Sequence, residues 1–232
     1  MKPKTIRPSK PILITIDGPA GAGKTTVSRA LAEAVGYNYV DTGALYRAVG
    51  LAAHREGVLS DDDDGLDRVC QGLSLIFQRA EGGTRLLLNG EDVTGLIRSP
   101  EMSMMASAVS ARPVVREFLL SVQKELGRRK EAVFEGRDMG TVVFPDAEVK
   151  FFLDASPRVR AERRYREIAS TASVTLEEVE SDIIRRDKND STRAIAPLKP
   201  AQDAVIIDSS DVSVEEVVDR MIAHIVSVVG TF

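Results

Sequence analysis

The 232-residue sequence has no tryptophan, one cysteine and two histidines. A single cysteine, Cys70, excludes an intrachain disulfide framework and a cysteine zinc cluster. His54 and His224 are too few for a histidine-based metal centre. Long hydrophobic runs are also missing. The longest early one, "PILITI", is far too short to span a bilayer, and the basic start "MKPKTIRPSK" is not followed by the apolar region of a secretory signal. Nor is there an excess of positive charge. The net charge is −4, so a large basic surface for nucleic acid is not expected. A cytoplasmic, monomeric protein with no membrane and no nucleic-acid partner is expected. Hydrophobic content of 43% suffices for a sizeable core in one domain over residues 1–232.

What is present alternates. "ILITI" (12–16) is a β-branched run suited to a strand buried on both faces. "KTTVSRALAEAVG" (24–36) has helical spacing and stops at Gly36. "YNYVD" (37–41), "AVFE" (132–135), "EVKFFLD" (148–154) and "AVIID" (204–208) read as further strands. Helices are predicted at 43–57, 157–168, 175–187 and 213–229, the third capped by Thr175 with Glu178 three residues on. This alternation predicts an α/β fold, a five-stranded parallel sheet covered by helices. The middle breaks the rhythm. Short alternating runs interrupted by "EGG" and "NGED" are hairpin signals, and predict a small antiparallel β insertion over roughly 65–105. The acidic run Asp61–Asp64 reads as a solvated helix start, where acids complement the helix dipole.

The strongest motif is "GPAGAGKTT", Gly18, Pro19, Ala20, Gly21, Ala22, Gly23, Lys24, Thr25 and Thr26. It lies between a predicted strand and a predicted helix, the context a phosphate-binding loop requires. Glycines let backbone N–H groups approach a phosphate chain, and the following helix points its amides and dipole at the anion. Lys24 can reach the terminal phosphates of ATP, and Thr25 can offer its hydroxyl oxygen to Mg²⁺. Such a loop specifies a nucleoside triphosphate and not its fate. A guanine-specific switch would need Asn-Lys-x-Asp, and no asparagine here precedes lysine. A nucleic-acid motor would need more chain and more basic surface. A kinase for a small acceptor remains, and it requires a second anion site and cover over the transferring group. Arginines in "SPRVRAERRYRE" and "RRDKNDSTR", around the small linker "ASTASV" (169–174), read as a helical lid over about 157–193. In "AVFEGRDMGTVVFP" (132–145), an apolar run breaks into Glu135, Gly136, Arg137 and Asp138. Those charges would sit at the carboxyl end of a buried strand, where open α/β sheets bind ligands.

Four blocks, "TIDGPAGAGKTT", "YVDTGALYRAVG", "EGRDMGTVVFPDAEVKFFLDAS" and "RDKNDSTRAIAPLKPA", spread over residues 15–202, make the chain resemble the bacterial cytidylate kinases. These P-loop nucleoside monophosphate kinases make CDP from CMP and ATP. The resemblance implies ATP and CMP or dCMP as substrates, Mg²⁺ with the ATP, and a monophosphate-binding part over about 37–131 that holds the insertion. It implies that Thr42, Tyr46 and Arg47 hold the acceptor phosphate, with Arg137 and Arg193 as further clamps. Ser107, Arg116 and Asp138 would contact the cytosine edge, and Arg186 and Asp190 the sugar hydroxyls. Arg160, Arg163 and Arg164 would act on the transferring group, together with Lys24 and Arg137. Glu135 stands where an aspartate is common and Thr42 where a serine is common. Both keep the chemistry, and Glu135 with Thr25 is the candidate metal side. A kinase for UMP or shikimate, or a nucleotide-binding switch, is the alternative.

Overall fold

The computed structural model describes residues 6–80, 83–169 and 174–230. In chain order the elements begin with β1 (Leu13–Asp17), α1 (Lys24–Val35), β2 (Asn38–Asp41), α2 (Thr42–Arg55) and α3 (Asp63–Gln71). They continue with β3 (Leu75–Ala80), β4 (Gly83–Leu88), β5 (Glu91–Asp92), α4 (Pro100–Val109), α5 (Pro113–Gly127) and β6 (Ala132–Gly136). The last are β7 (Val149–Asp154), α6 (Pro157–Ile168), α7 (Leu176–Thr192), β8 (Val205–Asp208) and α8 (Val214–Val229). The chain forms two compact units, one of residues up to Tyr39 and from Arg129 onward, the other Val40–Arg128.

The first unit is built on the parallel sheet, whose strand order is β2-β6-β1-β7-β8. All five residues of β1 and all five of β6 are buried, as at the centre of a sheet covered on both faces, and the burial takes in Asp17 and Glu135 at their carboxyl ends. Ile14, Ile16, Val133, Phe151 and Leu153 pack with Val27 and Leu31 of α1 and with Val217, Met221 and Ile225 of α8. α1 ends at Gly36, which caps it by donating its N–H to the carbonyls of Ala32 and Glu33. α6 and α7 share a small apolar cluster of Ala161, Val179 and Ile183, with Tyr165, Ile168, Val174 and Leu176 against it. Residues 170–173 of the predicted lid linker lie outside the described residues. The Thr175–Glu178 capping box is present at the start of α7. That helix runs to Thr192, five residues beyond the expected end, because nothing in "KNDST" breaks it before Arg193.

The second unit holds α2 to α5 and the antiparallel sheet β3-β4-β5. Leu45, Val49, Leu66, Val69, Leu86, Leu88, Val109 and Leu119 make its core. The β4–β5 turn is Asn89-Gly90, the "NG" signal, between paired Leu88 and Glu91. The turn at 81–82 lies outside the described residues. Antiparallel pairing covers Leu75 to Asp92, narrower than the 65–105 expected, because helices flank it on both sides. Asp62 caps α3 by accepting from Gly65 N, so the acidic run is a helix start as read. Ser99 caps α4 and Pro100 occupies its first turn. Among the described residues no helix is long and apolar enough to cross a membrane.

Candidate active site

Between β1 and α1 the chain turns through Gly18–Gly23. Gly18 has φ +148°, and a Cβ there would lie 2.0 Å from the Leu153 carbonyl oxygen, so only glycine fits. The N-terminus of α1 therefore opens directly onto the loop, with its free amides and positive dipole end. Lys24 is only 7% exposed, and its Nζ donates to the Pro19 carbonyl at 2.7 Å. Burial, and next the Arg137 guanidinium, hold the Lys24 ammonium well below the ordinary lysine range. A bound phosphate chain would reverse that imbalance. Thr25 Oγ1 donates to Glu135 Oε1 at 2.8 Å, which joins the loop to the end of β6.

Past β6 the charges separate onto different partners. Arg137 Nε donates to Asp190 Oδ2 at 3.1 Å, and its Nη1 to the Gly136 carbonyl at 3.2 Å. Arg193 Nη2 lies 3.6 Å from Asp138 Oδ1, while its Nε donates to the Ala196 carbonyl at 2.7 Å. Arg186, on α7, is close enough to Lys24 to help depress it. The added length of α7 puts Arg186, Asp190 and the capping residue Arg193 on one side of a continuous helix, at spacings of four and three residues. Asp190 beside Arg137 and Asp138 beside Arg193 hold those two guanidinium groups in advance, at positions where an anion can share them.

The three lid arginines differ in place. Arg160 is 3% exposed. It donates to the Ala155 and Ala20 carbonyls at 2.8 and 3.1 Å, and bidentately to Asp187 at 3.0 and 2.6 Å. It thereby ties α6 to α7 and to the phosphate loop. Arg163 donates to the Ser209 carbonyl at 2.6 Å, to Ser209 Oγ at 3.1 Å and to the loop carbonyl of Ala22 at 3.4 Å. Arg164 pairs within its own helix, with Glu167 at 2.9 Å.

In the second unit, Asp41 does two things. One oxygen caps α2 by accepting from Ala44 N at 2.9 Å, and the other accepts from Arg47 Nη2 at 2.8 Å. Thr42 and Tyr46 are buried on the same helix. The Arg116 guanidinium lies over the Tyr46 ring, 5.9 Å from its centroid, and donates to the Ser110 carbonyl at 3.3 Å. Ser107 sits on α4, and its carbonyl accepts from Ser110 Oγ at 2.9 Å.

Sequence reasoning passed over Asp17, Asp41 and Asp187, the acids that hold this machinery in place. Asp41 had a local signal, since an aspartate before "TGALYR" is a helix cap. Asp187 lies in the block "RDKNDSTR", but its role as the partner of Arg160 on α6 shows only in the structure. Asp17 had none. It accepts from Met139 N at 2.9 Å and Gly140 N at 2.8 Å, from residues more than a hundred positions away. Burial pushes its carboxyl up to about 6, against the pull of those two amides.

Comparison with known proteins agrees with this geometry. The cytidylate kinase family matches residues 14–227. The cytidylate kinase of Geobacter sp. (strain M21) is 50% identical over 211 residues, covering 90% of this chain and 91% of the relative. That of Pasteurella multocida (strain Pm70) is 45% identical over 218 residues, covering 94% and 96%. Among solved structures, a gluconokinase from Sinorhizobium meliloti 1021 shares the fold, with TM-score 0.51, 17% identity and 94% of each chain covered. With a phosphate loop on a five-stranded parallel sheet and near-complete matches to such relatives, the chain belongs to the cytidylate kinase family.

Proposed function

We propose that this protein transfers the γ-phosphoryl group of ATP to CMP or dCMP, giving ADP and CDP or dCDP, with Mg²⁺ accompanying the ATP. The observation that carries the reading is the convergence at the carboxyl ends of β1 and β6. There the phosphate loop with Lys24 meets the Thr25–Glu135 pair, the Arg137–Asp190 pair and the Asp138–Arg193 pair. The loop amides and Lys24 hold the β- and γ-phosphates. Arg137 and Arg193 offer their guanidinium groups to the acceptor phosphate, and Arg47 on α2 is a further phosphate-binding candidate. Arg163, whose guanidinium already touches the loop carbonyl of Ala22, is the lid arginine best placed for the transferring group.

Thr25 and Glu135 offer a hydroxyl and a carboxylate oxygen within 2.8 Å of each other, the hard donors that Mg²⁺ takes. No group of three or more acids, histidines or cysteines among the described residues could hold a metal alone. That fits an ion held jointly with nucleotide phosphates and water. When bound, the ion neutralises charge on the phosphate oxygens.

The acceptor oxygen is already anionic at neutral pH, so the chain need supply no general base. Its residues bring two anions together, offset their repulsion and exclude water. A coupled ATPase assay over CMP, dCMP, UMP, AMP and shikimate tests the reading. Turnover is expected chiefly with CMP and dCMP. Preference for UMP or shikimate would replace the acceptor, and turnover with none would return the chain to a nucleotide-binding module.

A further inference from the structure

We propose that Asp17 is a positioning residue for acceptor selectivity: its carboxylate caps the turn after β6 in place of Asp138, and so keeps the Asp138 carboxylate directed at the acceptor base. The proposal rests on the reading of Asp138 as a base-contacting group.

Residues Met139–Val143 form a single π-helical turn, closed by Val143 N to Asp138 O at 3.2 Å and Phe144 N to Met139 O at 2.7 Å. Such turns recur at functional sites. The first amides of any helical turn have no partner within it. An aspartate at the N-cap position ordinarily accepts from them. Asp138 occupies that position and makes no side-chain cap bond. Asp17 takes the amides instead, Met139 N on one oxygen and Gly140 N on the other, at 2.9 and 2.8 Å. It reaches them from the end of β1, opposite Gly136 of β6 in the sheet register, and is itself 3% exposed.

The turn fits closely against the sheet. A Cβ on Gly140 would lie 3.0 Å from Thr15 Oγ1 and 3.2 Å from Lys150 Cδ, so the backbone is pressed against the sheet. With both amides satisfied from below, the Asp138 carboxylate faces Arg193 at 3.6 Å and not its own turn. If the Asp17 cap is weakened, two buried donors lack an acceptor, and burial makes that costly. The carboxylate nearest in sequence is that of Asp138. Drawn inward to cap its own turn, it no longer meets the base, and its contact with Arg193 is lost at the same time.

The test is steady-state kinetics with CMP and with UMP on the wild type, Asp17→Asn, Asp138→Ala and the double variant. An asparagine keeps one acceptor oxygen and sets an amide N–H₂ against the other donor. Asp17→Asn is expected to lower kcat/KM for CMP by about tenfold or more, mainly through KM, and to reduce the CMP-over-UMP preference towards that of Asp138→Ala. The double variant should discriminate no worse than Asp138→Ala alone, because Asp17 acts through Asp138. A folded Asp17→Asn with wild-type preference, beside an Asp138→Ala that has lost it, overturns the positioning role. Wild-type preference in Asp138→Ala overturns the base reading instead, and the proposal with it. Should Asp17→Asn not fold, hydrogen exchange on the wild type decides. Protection of the Met139 and Gly140 amides equal to that of β1 amides supports the cap, and exchange at the rate of open turn amides overturns it.

Discussion

Lys24 is a buried ammonium that rests on a backbone carbonyl. The Pro19 carbonyl and the Glu135 and Asp17 carboxylates offset only part of its desolvation. Lys24→Ala should therefore fold normally, since alanine favours the first turn of α1 and removes a desolvated charge. Turnover should fall by about 10²–10³-fold, the loss typical of one preorganised donor at a developing charge. Melting curves and kcat measured together check both halves, and near-normal turnover would sink the phosphate-loop mechanism. Asp17 gives a second prediction at this scale, and here the sign matters. Its carboxyl stands at about 6 when folded against 3.8 for an unperturbed aspartate. In that window the folded chain keeps a proton that the unfolded chain has released. The stability of the wild type relative to Asp17→Asn should then fall as pH rises from about 4 to about 6, by on the order of 3 kcal/mol, and level off above. Urea denaturation across that range reads it directly. A flat difference would mean that Asp17 does not titrate in the folded chain.

At the scale of elements, α6 and α7 are joined by a small apolar cluster and by two arginines of α6, exposed Arg158, which pairs with Glu180 at 2.9 Å, and buried Arg160, which pairs with Asp187. The Arg160–Asp187 pair is bidentate, and Arg160 also donates to the phosphate loop. This element is the proposed lid. Asp187→Ala should cost about 2–4 kcal/mol, because it leaves a buried guanidinium short of its carboxylate. It should also raise exchange across 157–169 and 174–192 in the absence of nucleotide. Deuterium uptake with and without an ATP–CMP bisubstrate analogue checks the lid itself: protection of both helices is expected on binding, and equal uptake in the two states would refute closure. The helices were legible in the sequence because their signals are local. Pro157 and the Thr175–Glu178 box mark starts that the structure keeps, and α8 (Val214–Val229) lies within the predicted 213–229. α4 was not legible. "PEMSMMASAV" has little polar surface to set against its apolar one, so its helical period is hidden although Ser99 and Pro100 mark its start. The antiparallel insertion was legible in kind, from "NGED", and too wide in extent, because hairpin signals mark turns and not the helices that flank them.

At the scale of the molecule, substrates that bind the folded chain alone should stabilise it. A bisubstrate analogue at about 100 times its Kd should add about 2.7 kcal/mol, a shift of several degrees in Tm for a chain of this size. The same experiment on Lys24→Ala should show a smaller shift at equal concentration, and an equal one would mean that the lysine takes no part in binding. What the sequence determined by itself was whatever depends on neighbours along the chain: the phosphate loop between strand and helix, the strand–helix alternation that demands a parallel sheet, and the arginines in their blocks. Periodicity, caps and backbone freedom act within a few residues, so a single chain displays them. Which acid holds which arginine was decided by tertiary structure alone. Arg137 meets Asp190 across 53 residues, Arg160 meets Asp187 across 27, and Asp17 meets the turn at Met139 across 122. A charged side chain carries no mark of its partner. Only the packing of β1 against β6 and of α6 against α7, and the approach of α7 to the end of β6, brings those groups within hydrogen-bonding distance and takes them out of water, where the pairing matters.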